Sequence, residues 1–587
     1  MSSIQDLVHE WISLDKNEDT RNEIQQLWDA GNLDELERRM RPRIEFGTAG
    51  LRGRMEAGWS RMNDLIILQT TQGLCAYTLA QIPDAASRGV VIGHDHRHNS
   101  ERWAQLAASV FLKQGVKTYL MRGFVHTPII PFSVRQLKAA CGIMITASHN
   151  PKQDNGYKVY WENAVQIIEP HDKGIAESIK HNLEPTFWTA QDVLTSSLCI
   201  DKTPEMIDAY FTTLSLLNTS RPTNEASPVK FVNTSMHGVS DAFLERAFKE
   251  FGFSPYIPVL AQQHPDPEFP TVRFPNPEER ALDLAIQTAN AQDITYVIAQ
   301  DPDSDRFAAA ERSTDGSWVT FTGDQLGSLF AAYVLDIYIS SNRTTDKLAM
   351  VASTVSSKMI EAMAKVEGFR YQECLTGFKY IGNTALDLVK EGFEVPFGYE
   401  EAIGYMLGSD IRDKDGVAAA VCFAQLAARL HTQGKTVMSY LQELYARCSF
   451  QTSNSYFICD DPSKIDDIFG RLRKYNSETV PSYPSTIAGL NVTRVVDLTT
   501  GYDSGNPPTY KPQLPISLGH MIQFRAEREG GLKVVLTIRT SGTEPKIKYY
   551  LEAQGDNRQA VMELLPLVVN HLGNTWMEAE KNNLGRP

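Results

Sequence analysis

The sequence predicts an α/β protein: three related α/β domains followed by a C-terminal α+β domain. Three observations predict it. Apolar and amphipathic runs recur in β-α-β-α-β order three times. Each recurrence closes on a polar loop just past its last strand. From about residue 453 the pattern gives way to strand-like runs separated by prolines.

Residues 1 to 45 read as helical, with Trp11, Ile24, Leu27, Trp28, Leu33, Leu36 and Met40 spread among charges until Pro42 ends the pattern. The first pass runs through a strand at 89–93, a helix at 100–115, a strand at 116–121, a short helix from Thr127-Pro128 and a strand at 141–145. The second takes strand 229–233, helix 239–252, strand 254–260, helix 277–291 and strand 294–299. The third takes strand 348–353, helix 357–368, strand 371–375, helix 380–392 and strand 393–397. Strands at 455–458, 495–498, 521–525 and 532–538, one more after Lys548, and a helix from 556 to about 579 make up the remainder. The expected domains are 1–208 with the helical preface, 209–322, 323–452 and 453–587.

Composition excludes several classes of function. With 57 Lys+Arg against 71 Asp+Glu, the net charge of -14 opposes nonspecific binding to nucleic acid or an anionic membrane. No run of apolar residues is long enough to span a bilayer, and the first residues lack the basic and apolar regions of a secretion signal. Seven cysteines, Cys75, Cys141, Cys199, Cys374, Cys422, Cys448 and Cys459, form no metal or disulfide framework and point to a reducing cytoplasm.

The chemistry sits in the loops that close each pass, since ligands gather at the carboxyl ends of strands in such sheets. Thr146-Ala147-Ser148-His149-Asn150-Pro151 follows an apolar strand and holds the Ser148 hydroxyl at an edge, as a nucleophile is displayed. Asp301, Asp303 and Asp305 alternate through the second loop, an oxygen-only set suited to Mg2+. Glu400 and Glu401 pair in the third. In Glu45 to Gly53, three glycines beside Arg52 let backbone N-H groups approach an anion, although a tight turn would use the same glycines. Arg539, Ser541, Gly542 and Thr543 have the composition of a phosphate cradle, with Lys546 and Lys548 adding positive potential. If the three α/β domains face a common cleft, their loops meet there.

Phe46 to Gly53, Thr146 to Pro151, Asp301 to Arg306, Gly398 to Gly404 and Arg539 to Pro545 resemble the five signatures of the α-D-phosphohexomutase superfamily, in family order. Arg61 to Asp64, Asn150 to Tyr160 and Phe274 to Glu279 are similar to the branch of eukaryotic phosphopentomutases and glucose-1,6-bisphosphate synthases. The resemblance implies four domains around a central cleft, the last with a TATA-binding-protein-like fold. It implies a phosphoryl group on Ser148 bridged by one Mg2+ to Asp301, Asp303 and Asp305. It places Arg52, His149, Lys158 and Arg306 near the transferring phosphate, with Lys158 or His149 as proton carrier. Lys379, Glu400, Glu401 and Lys414 then face the sugar, and Arg539, Ser541, Gly542 and Thr543 hold the other phosphate.

The activity so implied is a phosphopentomutase, interconverting ribose or deoxyribose 1- and 5-phosphates through a sugar bisphosphate that also serves as activator, with side phosphoglucomutase activity. Where hexomutases of the family carry Gly-Glu-Glu-Ser, this chain has Ala402 after Glu400-Glu401. The missing hydroxyl costs a buried partner for a hexose hydroxyl, about 1 to 3 kcal/mol, and tilts preference to pentoses. The alternatives are a glucose-1,6-bisphosphate synthase using 1,3-bisphosphoglycerate and a non-catalytic sugar-phosphate-binding protein. The expected partners are small sugar phosphates, with no nucleic acid or membrane, for a cytoplasmic monomer.

Overall fold

The apolar strand that precedes Ser148 is fully buried and lies inside a six-stranded sheet. This sheet comprises β1 (Leu51–Arg54), β2 (Val90–His94), β3 (Thr118–Leu120), β4 (Cys141–Ile145), β5 (Asp154–Trp161) and β6 (Cys199–Ile200), in the order β1-β5-β4-β2-β3-β6. In this computed structural model every residue is described except 1, 2, 48, 49, 278, 279, 449, 460, 478–480, 518, 542–545, 556, 586 and 587. The chain forms two compact units, Met1–Arg343 with Phe378–Thr436, and Thr344–Gly377 with Val437–Pro587.

In the first unit, β2, β3, β4 and β6 are parallel, whereas β5 runs antiparallel to both β4 and β1. Helix Ser100–Lys113 packs on β2, β3 and β4. Helix Asp64–Gln81 packs on it and on helix His171–Lys180, close enough that a Cβ on Gly73 would lie 2.5 Å from the Ile179 Cα. The preface forms helices Ile4–Leu14, Glu18–Asp29 and Leu33–Met40, the first started by a Ser3/Asp6 capping box. Trp11 and Trp59 meet edge to face at 4.9 Å, which joins the preface to the first domain.

The second sheet has β7 (Phe231–Thr234), β8 (Ile257–Pro258), β9 (Tyr296–Gln300), β10 (Phe307–Arg312) and β11 (Trp318–Thr320), in the order β11-β10-β9-β7-β8. Helix Gly416–Thr432 belongs late in the chain but packs here, on β9, β10 and helix Ser240–Phe251, with Phe423 against Phe307 and Tyr296. Asp415 caps it by accepting from Val417 and Ala418 N-H. Strands Glu394–Glu400 and Gly404–Leu407 form an antiparallel hairpin in the same unit.

In the second unit, strands Leu348–Ser353 and Arg370–Cys374 are parallel and joined by helix Met359–Glu367. The seven-stranded sheet is antiparallel throughout and carries strands Phe450–Ile458, Lys546–Gln554, Lys533–Thr540, Met521–Glu527 and Leu490–Asp497 in that spatial order, with short strands at its far edge. Its core includes Phe457, Phe469, Phe524 and Trp576. Arg525 donates to both oxygens of Glu361, at 3.2 and 3.1 Å, pinning helix Met359–Glu367 to this sheet.

Some expected elements differ. The strand expected at 254–260 pairs only through Ile257–Pro258, because Pro255 and Pro258 lack the N-H that a ladder needs. The helix expected at 277–291 is regular only over Asp283–Ala291 after a 3-10 turn at Arg280–Leu282, its expected start falling partly outside the described residues. The last α-helix ends at His571 and widens into a π turn over Leu572–Trp576. Helices Asp64–Gln81 and Pro462–Arg473 and strands β1, β5 and β10 were not anticipated.

Candidate active site

Strand register assembles the site. Just beyond β4, Ser148 occupies the left-handed region at φ 52°, a conformation that costs a non-glycine residue about 1 to 3 kcal/mol. It is held there on both sides. The Ser148 N-H donates to Thr146 Oγ1 at 2.9 Å, and Arg97 grips the carbonyls that follow. Arg97 Nη2 donates to Ser148 O and Asn150 O, both at 2.6 Å, while Nη1 donates to Pro151 O at 2.9 Å and Asp154 O at 3.2 Å. Asp95 balances this buried guanidinium at 3.4 Å.

On β5, Lys158 lies opposite Met144 of β4, and Gly156 lies opposite Arg52 of β1, so one antiparallel strand brings both cations to the Ser148 loop. Arg52 Nη1 donates to Asn150 Oδ1 at 3.3 Å. Gly50 has φ +87°, and a Cβ there would fall 1.8 Å from the Tyr157 carbonyl, so the loop before β1 can lie on β5 only with glycine at this point.

The aspartate loop turns the chain from β9 into antiparallel β10. Asp301 is fully buried. Its Oδ1 accepts from the N-H groups of Asp305 and Arg306, and its Oδ2 accepts from Ser148 Oγ at 2.8 Å. Lys158 Nζ donates to Asp303 Oδ2 at 2.7 Å and to Asp305 Oδ2 at 2.9 Å; Thr127 Oγ1 also donates to Asp303 Oδ2, at 2.5 Å. Two glycines press on this loop. A Cβ at Gly238 would lie 2.5 Å from Pro302 Cα and O, and one at Gly416 would lie 2.4 Å from Arg306 O.

Oxygens of all three aspartates lie within 4.8 Å of one another, and Oδ1 of Asp303 and Oδ1 of Asp305 are buried without a hydrogen-bond partner. Burial and the two neighbouring carboxylates push the Asp301 carboxyl well above the usual range. Burial opposes the charge of Asp303 as well, but Lys158 first, with the Thr127 hydroxyl and Asp301, offsets it and holds that carboxyl down. Crowded, orphaned carboxylate oxygens with no nitrogen or sulfur donor among them fit a hard divalent cation.

Burial first, then Arg306 and Arg52, hold the His149 imidazole well below its ordinary pKa and so neutral, with Nδ1 3.3 Å from Ser148 Oγ. Lys158 goes the other way: burial disfavours its charge, but Asp303 and Asp305 outweigh burial and raise its pKa.

The third loop joins through backbone. Arg306 bridges Gly404, and Phe307 N-H donates to Ile403 O at 3.1 Å. Lys414 Nζ lies 3.3 Å from Asp305 Oδ2, 3.6 Å from Asp413 Oδ1 and 5.2 Å from the centre of the Phe378 ring. Burial pushes the Glu400 carboxyl up to about 7 although Lys414 and Arg306 pull it down. Glu401 sits in the turn, where its carbonyl leaves no room for a Cβ on Gly323. Lys379 is 6 % exposed, its Nζ has no hydrogen-bond partner, and burial lowers its pKa to about 8.

Thus Ser148, His149, Lys158, Arg306, the three aspartates and Lys414 form one network, with Arg52 attached through Asn150 and Glu400 beside Lys414. Lys379 makes no hydrogen bond to it. In the second unit, Arg539 donates to Thr540 O at 3.2 Å and to the Tyr550 hydroxyl at 2.9 Å, and Ser541 N-H donates to Lys546 O. Gly542 and Thr543 lie outside the described residues. Arg97, Thr127, Asp95 and Asp413 were not anticipated. Asp95 and Arg97 stand just past the carboxyl end of β2, the place where the other site loops were sought.

The phosphoglucomutase/phosphomannomutase family matches three segments: its alpha/beta/alpha domain I at residues 43–186, domain II at 208–316 and domain III at 322–448. The chain is 44% identical to a probable phosphoribomutase of Schizosaccharomyces pombe, over 100% of this chain and 99% of that one. It is 43% identical to the Homo sapiens phosphopentomutase (98% and 96% covered) and 41% identical to the Homo sapiens glucose 1,6-bisphosphate synthase (98% and 95%). Among solved structures, the open form of the Paramecium phosphoglucomutase pp63/parafusin shares the fold with a TM-score of 0.65 at 17% identity, covering 92% of this chain and 95% of that one.

Proposed function

We propose, given that this chain belongs to the phosphoglucomutase/phosphomannomutase family, that it is a phosphopentomutase interconverting the 1- and 5-phosphates of ribose and deoxyribose. The observation that carries this reading is the Ser148 hydroxyl, 2.8 Å from Asp301 within a cluster of three buried aspartates. Relatives named phosphopentomutase or phosphoribomutase, at 41% to 45% identity, support the pentose substrate.

In the working enzyme Ser148 carries a phosphoryl group. Asp301, Asp303 and Asp305 would hold one Mg2+, which would supply positive charge to the phosphoryl oxygens. The sugar hydroxyl bonds to phosphorus as the bond from phosphorus to Ser148 Oγ breaks, leaving a sugar bisphosphate, and Oγ receives through His149, 3.3 Å away, the proton that the sugar hydroxyl loses. His149, neutral in its buried setting, takes the hydroxyl proton; Lys158, fixed in its charged form between Asp303 and Asp305, and Arg306 and Arg52 neutralise charge. The bisphosphate turns around, returns its other phosphoryl group to Ser148, and serves as the activator that rephosphorylates the enzyme. Lys379, Glu400, Glu401 and Lys414 bind the sugar. Arg539, Ser541, Gly542 and Thr543 hold the phosphate that is not reacting, which presents the same dianion in both orientations. Ala402 offers no hydroxyl to a hexose, so glucose 1-phosphate is the poorer substrate.

The enzyme works as a monomer in the cytoplasm on this reading. Cys75, Cys141, Cys199, Cys374, Cys422 and Cys459 are free, and no helix among the described residues is long and apolar enough to cross a membrane.

Intact-protein mass and turnover test the reading together. Ser148→Ala removes both the phosphorylated species and the isomerisation; persistence of turnover overturns it. Equal kcat/KM for glucose and ribose 1-phosphates overturns the pentose preference. Relatives named glucose 1,6-bisphosphate synthase favour a second reading, in which 1,3-bisphosphoglycerate phosphorylates Ser148; a direct assay with that donor separates the two.

A further inference from the structure

Buried cations in the first unit mostly have carboxylate partners: Arg97 has Asp95, Lys158 has Asp303 and Asp305, and Lys414 has Asp305 and Asp413. Lys379 lacks one, and the sugar-binding role already accounts for it. Arg412 also lacks one. It is 7 % exposed, its Nη1 donates to the Val395 carbonyl at 2.6 Å and approaches Met406 Sδ at 3.9 Å, and no described carboxylate lies within ion-pair distance. With one carbonyl and no carboxylate as protein partners, the guanidinium leaves its other donors to the cavities it lines, where an anion binds more strongly than water.

The surroundings provide room for one. Arg412 lines two adjoining cavities of about 640 and 530 Å³ that share Arg135, Ser409 and Asp410, within the size range of small-molecule sites. Around the larger cavity, Arg88 pairs with Glu162 at 2.7 Å and Arg135 pairs with Asp410 at 3.1 Å, so these charges cancel. Lys138, exposed at the end of helix Ile129–Leu137, makes no ion pair. Asp84, at 3.5 Å from Arg88, also lines this cavity, so four cations face three carboxylates, and Arg412 and Lys138 are the two cations among them that make no ion pair. A guanidinium edge and a point-like ammonium together suit a tetrahedral phosphate. The second cavity continues past Leu214, Leu217, Val395 and Leu407, surfaces that accept an uncharged organic body.

We propose that Arg412 and Lys138 form a second anion site, distinct from the Ser148 centre, that takes a phosphate monoester with its phosphate on the two cations and its uncharged part in the neighbouring apolar cavity.

The test is positional. Crystals of the full chain soaked in tungstate, a heavy phosphate analogue, are examined for anomalous density, and inorganic phosphate is titrated calorimetrically in solution. The expected result is a tungstate peak within hydrogen-bond distance of Arg412 and one more phosphate per chain in the parent than in Lys138→Glu. Phosphate affinity at this site falls at least tenfold in that variant. Lys138 is exposed, so this change leaves the core and mutase turnover intact; Arg412→Lys serves as a second variant that keeps the charge and loses the fork. Absence of the peak, an undiminished peak in Lys138→Glu, or equal phosphate stoichiometry in both proteins overturns the proposal. Density and turnover at Ser148 report separately on the main site.

Discussion

Arg97→Lys is the sharpest probe of how the Ser148 loop is held. The residue is 3 % exposed, and its guanidinium spans four carbonyls, of Ser148, Asn150, Pro151 and Asp154, at 2.6 to 3.2 Å. A lysine keeps one charge opposite Asp95 but presents its donors from a single point and reaches about two of the four. Hydrogen bonds to a charged group are each worth about 1.5 to 3 kcal/mol, so the gross loss is about 3 to 6 kcal/mol before relaxation. The functional loss has a separate source. Ser148 is held at φ 52°, and without the clamp it can relax out of the left-handed region, releasing about 1 to 3 kcal/mol. The fraction of molecules with Oγ beside Asp301 then falls about 5- to 150-fold. Urea unfolding measures the first effect, and kcat/KM for ribose 1-phosphate, corrected for folded fraction, measures the second. An Arg97→Lys enzyme that is less stable yet turns over within twofold of the parent refutes the clamp.

Three further perturbations have signs fixed by the structure. The folded Glu400 carboxyl, at about 7 against an ordinary 4.5, retains a proton that the unfolded chain has released, so its contribution to stability falls as pH rises from about 4.5 to 7. Glu400→Gln is therefore more stable than the parent by about 3 kcal/mol above pH 7 and indistinguishable near pH 4.5; a difference that does not vary with pH in urea titrations contradicts this. Chelator-treated enzyme gains about 2.7 kcal/mol when Mg2+ is added to a hundredfold excess over its Kd. Asp301→Asn keeps an acceptor for the Asp305 and Arg306 N-H groups, is at least as stable as the parent without metal, and gains nothing from Mg2+ in the same thermal assay. Lys379→Met removes a buried ammonium that lacks a hydrogen-bond partner, so it raises unfolding free energy at pH 7 while lowering kcat/KM about ten- to hundredfold through loss of a charged contact; unchanged kinetics remove Lys379 from the sugar site.

Apolar strands were the legible part of the fold. β4 was located to the residue because five buried residues in a row leave a clear pattern, and β2 and Leu348–Ser353 follow the same rule. The antiparallel strands β5 and β10 that follow the reactive loops escaped notice. Lys158 is a charged residue in the interior of β5, in a place that hydropathy reads as surface, and only the aspartates opposite make its burial tolerable. Helix Asp64–Gln81 is buried on nearly every side and so shows little of the amphipathic alternation that marks a surface helix. The candidate site residues stand out because each short loop concentrates unusual chemistry within a few positions. Arg97 and Thr127 act on those loops from elsewhere in the chain, and a partner 51 or 176 residues away leaves no local trace.

Gly238 and Gly416 grip the aspartate loop from two segments that are far apart in sequence, with main chain pressed on main chain. Alanine at either position would shove the carboxylates out of alignment, so the cation cage has no adjustable screw. The sugar end is different. Ala402, in the loop proposed to face the sugar, is a half-buried turn residue with no glycine-only backbone contact of its own. On the proposed function, a molecule built this way is retuned from one carbohydrate to another at its rim while its phosphoryl chemistry remains locked to the backbone.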